Sequence, residues 1–74
     1  MSMSELYDGL RILIAYPTKS LNIQIGKGYA NALLSGRVPD EGLKIQCLYI
    51  LNNISGWRHP EAKRVRDLLK FYSK

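Results

Sequence analysis

Between Pro39 and Gly56 the chain carries an apolar pattern that leaves little choice of local structure. Leu43, Cys47, Ile50, Leu51 and Ile54 recur at i, i+4, i+7, i+8 and i+11, the spacing of one face of an α-helix. Ile45, Leu48 and Tyr49 broaden that face, so the segment is expected to be surrounded on most sides and to organise the core. Pro39, Asp40 and Glu41 suit a first turn, with both carboxylates where the helix dipole favours negative charge. Gly56 is expected just past the helix end in a left-handed conformation, with Trp57 folding back on Leu51.

The two ends of the chain read as helices on independent grounds. Ser2 and Glu5 have the spacing of a capping box ahead of Leu6, Leu10, Leu13 and Ile14, and Pro17 stops that helix near Tyr16. A last helix should begin at Arg58 or His59, with Pro60 at its first position and Glu61 in its first turn, and continue to the C-terminus. On it Val65, Leu68, Leu69 and Tyr72 point one way, while Lys63, Arg66, Lys70 and Lys74 cluster on the opposite side.

Residues 21–34 carry two patterns at once. Leu21 to Ile25 alternates like a half-buried strand, and the glycines of Gly26-Lys27-Gly28 would each weaken a helix interior by about 1 kcal/mol relative to alanine. Yet Leu21, Ile25, Tyr29, Ala32 and Leu33 also form a helical stripe that ends at a glycine cap, Gly36. A lone strand would have to form a hairpin with residues 11–16 or pair with another copy of the chain. The expectation is an all-α, single-domain bundle of three to four helices over residues 1–74. An α+β fold with a short strand or hairpin around residues 11–25 is the alternative. Gly26-Lys27-Gly28 reads as a break or kink, because the spacing of a phosphate-binding loop and its Lys-Ser/Thr are missing.

Several kinds of chemistry are excluded by count. A chain of 74 residues buries only about 60% of its unfolded surface, which leaves little room for a deep, dry active site. One cysteine forms no internal disulfide, and Cys47 and His59 have no second Cys or His to complete a zinc set. Cys47 lies in the apolar stripe, where thiols are inert, and Asp40 and Glu41 are accounted for by the helix dipole. No enzyme, metal or cofactor is expected. The first residues lack a basic n-region and a long apolar run, so a soluble, cytoplasmic protein without membrane contact is expected.

Charge is the informative remainder. Eleven Lys and Arg stand against six Asp and Glu, a net +5. Residues 58–74 hold Arg58, Lys63, Arg64, Arg66, Lys70 and Lys74 against only Glu61 and Asp67, so +4 of that charge sits on the last segment. Such a basic line suits a phosphate backbone, whose condensed counterions it displaces. The expected function is therefore a small binding module for nucleic acid, using these six residues. The alternative is a protein-interaction module (an adaptor, an inhibitor or a homodimer) that uses Trp57, Phe71 and Tyr29. The stretch from Gly28 to Pro39, a helix ending in glycine, a basic residue and a proline, resembles the recognition-helix region of phage-repressor-like helix-turn-helix domains over a dozen residues. That resemblance implies that Tyr29, Asn31 and Arg37 face DNA.

Overall fold

The computed structural model describes residues 2–74. Four α-helices, α1 (Met3–Ala15), α2 (Leu21–Leu34), α3 (Leu43–Asn53) and α4 (Ala62–Tyr72), are joined by short connections, with one 3-10 turn at Asp40–Gly42 leading into α3. Among the described residues there is no strand, and the expected all-α bundle is the observed architecture. Each helix packs on two neighbours in a closed ring, α1 on α2, α2 on α3, α3 on α4 and α4 on α1.

The helix ends follow their local chemistry. At the start of α1 the capping box is complete: the Glu5 amide donates to Ser2 Oγ at 3.2 Å, and the Ser2 amide donates to Glu5 Oε1 at 3.2 Å. Ser20 caps α2 by accepting from the Ile23 amide at 3.3 Å. The far end of α2 closes as a Schellman motif: the Gly36 amide donates to Leu33 O and the Arg37 amide to Ala32 O. Gly36 has φ 75°, which its missing Cβ makes inexpensive.

Residues 21–25 are helical because only helical spacing serves the core there. Ile23, Gly26, Ala30 and Leu33 form the buried stripe of α2; of the expected helical stripe only Leu33 belongs to it, while Tyr29 and Ala32 are half-buried and Leu21 and Ile25 face outward. Gly26-Lys27-Gly28 produces no break. Gly26 is instead a contact point: a Cβ there would lie 2.8 Å from Ile54 Cγ2, so the missing side chain lets α2 and α3 approach. Gly9 does the same for α1 and α4, where a Cβ would come within 2.7 Å of Val65 Cγ2.

Three other expectations are corrected. Ile45, Leu48 and Tyr49 are exposed, Ile45 by 56%, because α3 has helical neighbours on its inner side only. Gly56 is not left-handed; α3 ends three residues earlier, and the Trp57 amide closes a turn onto Ile54 O at 3.0 Å. Finally, α4 starts at Ala62 because Pro60 and Glu61 belong to a separate turn, closed by the Ala62 amide on His59 O at 2.9 Å.

Buried side chains from all four helices and from the α3–α4 link form one cluster, in which Trp57 is 1% exposed. No polar or charged residue is buried in it among those described.

The two glycines of α2 should respond oppositely to alanine. Gly28 has no neighbour within 4 Å of an added Cβ, so Gly28→Ala is expected to raise stability by about 0.5–1 kcal/mol through helix propensity. Gly26→Ala forces a methyl against a β-branched side chain and is expected to lower stability by about 1 kcal/mol. Urea unfolding of both variants beside the parent chain measures the difference.

Candidate anion-binding face

The link from α3 to α4 is built on Trp57. Its indole stacks on the imidazole of His59, with centroids 5.5 Å apart and planes at 24°, and meets the edge of Tyr16 at 6.0 Å. The Trp57 carbonyl turns outward and accepts from Arg66 Nη1 at 3.1 Å, which ties the link to the second turn of α4. His59 Nδ1 accepts from the Glu61 amide at 3.0 Å, so the neutral ring carries its proton on Nε2. Trp57 Nε1 is buried without a partner, at a cost of about 1–3 kcal/mol that the packing of the ring must offset.

This link and the first turns of α4 enclose an open cleft of about 470 Å³. It is bordered by Ser55, Arg58, His59, Lys63 and Arg66 together with the apolar Trp57, Pro60 and Ala62. Three cations, a hydroxyl and an imidazole thus meet in one concavity whose border includes no carboxylate. Such a donor set can hold an anion by charge and by directed N–H and O–H bonds.

The six basic residues expected to act together fall into three groups. Arg58, Lys63 and Arg66 border the cleft. Lys70 continues from Lys63 along one side of α4, about 10 Å further on at 1.5 Å per residue, and Lys74 follows two residues past the helix, which ends at Tyr72 rather than running to the C-terminus as expected. Arg64 turns toward α1 and donates from Nε to Glu61 at 2.8 Å; it borders a second hollow of about 400 Å³ in which Glu5 and Asp67 balance Lys63 and Arg64. Arg58, Lys70 and Lys74 are exposed and make no side-chain hydrogen bond or ion pair among the described residues.

Lys63 holds Asp67 at 2.9 Å. The hydrogen bond from Lys63 keeps the Asp67 carboxyl below the usual carboxylate range; desolvation opposes it, and the charges of Lys63, Lys70 and Arg66 add to the lowering. Asp67 is therefore ionised at neutral pH and subtracts from the basic line, and its exposed pair with Lys63 is easily exchanged.

The proposed aromatic contact set does not assemble. Trp57 is core and cannot meet a partner in this fold. Phe71 is 48% exposed near the end of α4, edge-on to Tyr72, while Tyr29 lies half-buried on α2 against Tyr49 of α3 at 5.3 Å. The helix-turn-helix resemblance also fails in detail. Recognition helices present their N-terminal residues to the groove, whereas Tyr29 and Asn31 lie in the second half of a helix that starts at Leu21. Cys47 is fully buried on α3, and burial pushes its thiol from 9.0 up to about 11. No protein-family model matches the chain, and no curated protein or solved structure is significantly similar to it.

Two outcomes follow from these contacts. Arg66→Ala removes the donor to the Trp57 carbonyl and is expected to cost about 1–2 kcal/mol, whereas Lys70→Ala should stay within about 0.5 kcal/mol of the parent; thermal melts of both distinguish a clasp from a solvated charge. The raised Cys47 pKa means that the folded chain keeps its thiol proton while the unfolded chain loses it. Stability from this group is complete below pH 9.0 and falls toward pH 11, by up to about 1.4 kcal/mol per pH unit. Urea melts at pH 8 and pH 10.5 should therefore show a larger loss for the parent chain than for Cys47→Ala.

Proposed function

We propose that the protein binds nucleic acid through its phosphates, with the cleft between the α3–α4 link and α4 as anchor and Lys70 and Lys74 as its continuation. The observation that carries this reading is the cleft border: Arg58, Lys63, Arg66, Ser55 and His59 converge with no carboxylate among them. A phosphate there would exchange Lys63 from Asp67 at little cost, since that pair is solvent-exposed. The basic face carries no Asn or Gln to read base edges; those residues are at positions 22, 24, 31, 46, 52 and 53. Binding is then sequence-independent, positioned by charge and held with the modest affinity of phosphate contacts, a Kd of about 10⁻⁴–10⁻⁶ M at physiological salt.

The test is fluorescence anisotropy with labelled single- and double-stranded DNA and RNA from 50 to 200 mM salt. Affinity should fall steeply with salt. The triple variant Arg58→Ala, Lys70→Ala, Lys74→Ala removes cations that have no side-chain partner among the described residues, so it should melt like the parent. On duplex DNA it should lower the salt slope by about 0.9 for each phosphate that these side chains neutralise in the parent. Asp67→Asn, which removes the one acid within the line, should tighten binding several-fold. Absence of binding at 50 mM salt, or a slope that the triple variant leaves unchanged, rejects the reading.

A further inference from the structure

The second hollow, which the phosphate contacts leave unused, adjoins the anion cleft. Its volume is about 400 Å³, and it is lined by Glu5 of α1, Pro60 of the link, and Lys63, Arg64, Asp67 and Leu68 of α4. That is a size at which small molecules are held. Pro60 and Lys63 also border the cleft, so the two concavities share a rim. Whatever occupies one has a short path to the other.

The chemistry of the lining narrows the occupant. Two carboxylates and two cations line the hollow, so an ion of either sign meets a like charge there. Pro60 and Leu68 supply apolar surface. Arg64, anchored by its Nε bond to Glu61 at 2.8 Å, adds a planar guanidinium of the kind that stacks on aromatic faces. Each lining carboxylate keeps one oxygen for a donor. Glu5 takes its capping hydrogen bonds on Oε1 and Asp67 holds Lys63 on Oδ2, which leaves Glu5 Oε2 and Asp67 Oδ1 without a hydrogen bond among the described residues. The set suits a neutral, planar group with an apolar face and an N–H on its edge.

We infer that this hollow holds one unpaired nucleobase of a strand whose phosphate occupies the neighbouring cleft; the inference rests on the phosphate reading above. In a nucleotide only the sugar separates base from phosphate, which matches two hollows with a common rim. A phosphate that draws Lys63 away from Asp67 frees a further carboxylate oxygen on the base side of that rim. Every base carries an N–H donor on its Watson–Crick edge, exposed in a single strand and consumed by pairing in a duplex. Carboxylates only accept, so they take any unpaired base without choosing among sequences, and Asp67→Asn keeps a carbonyl acceptor at that position. Single strands thus gain a contact that duplexes lack.

Three labelled DNA probes of equal length test this at 50 mM salt: a base-bearing single strand, an abasic strand with the same phosphates, and a duplex. The parent chain should bind the base-bearing strand about fivefold more tightly than the abasic one, the effect of a single stacked base. Arg64→Lys keeps the charge and loses the plane, and it should melt like the parent because the Arg64–Glu61 pair is partly open to water. This variant should lose most of the advantage of the base-bearing strand while its binding to the abasic strand and the duplex stays within about twofold of the parent's. Amide shifts caused by the base-bearing strand and not by the abasic one should fall at Glu5, Arg64, Asp67 and Leu68. Equal binding of the two single strands, an Arg64→Lys loss shared by all three probes, or base-dependent shifts centred elsewhere overturns the inference and leaves the phosphate reading standing. Failure of all three probes to bind rejects that reading, and the inference with it.

Discussion

The approach of α1 to α4 and of α2 to α3 is limited at two points by the absence of a side chain: Gly9 meets Val65, and Gly26 meets Ile54. None of the four helices is longer than α2, with its 14 residues, a length at which isolated helices are marginal in water, so their stability comes from packing against one another. In so short a chain there is no second layer to compensate for a loose fit. The two glycine contacts bring the β-branched residues opposite them into the interior. The remaining buried positions, Leu6 to Leu13 on α1 and Leu68 and Leu69 on α4 among them, close around that arrangement.

The core and the basic face meet at the α3–α4 link. Trp57 belongs to the core by its ring and to the surface by its carbonyl, which Arg66 clasps from α4. His59 stacks on the same ring while its Nδ1 fixes the turn that starts α4. The cleft therefore has a floor of packed core and a border of cations, with Lys63 and Arg66 placed by α4 and Ser55, Arg58 and His59 placed by the turns of the link around the buried Trp57.

Much of this was legible in the sequence where a single residue type admits one cheap conformation. The Ser2–Glu5 capping box, the stop at Pro17, the glycine cap at Gly36 and the burial of Val65, Leu68 and Leu69 all follow from local spacing. What could not be read was which flank of an apolar helix would go uncovered. Ile45, Leu48 and Tyr49 are as apolar as the residues facing inward, and only the closed ring of four helices decides that they face out. The glycines of α2 were ambiguous for the same reason, since a helix breaker and a helix contact look identical until the neighbour at Ile54 is known. At the candidate site, the density of basic residues was visible, but its division was not. Ser55 and His59 join Arg58, Lys63 and Arg66 only through the turn geometry around Trp57, and Arg64 leaves the group because Glu61 holds it on the other side.

The chain has one tryptophan, and it is buried directly behind the cleft. Its indole is in van der Waals reach of an imidazole and a phenol and shielded from water, so its emission is set by these neighbours as much as by folding. An anion drawn to Arg66 or His59 in the proposed site would pull on the two groups that hold the indole's backbone and ring. The indole would then be a built-in optical probe, with occupancy of the proposed site and integrity of the core read from the same fluorescence signal and separable because the first saturates with ligand while the second does not.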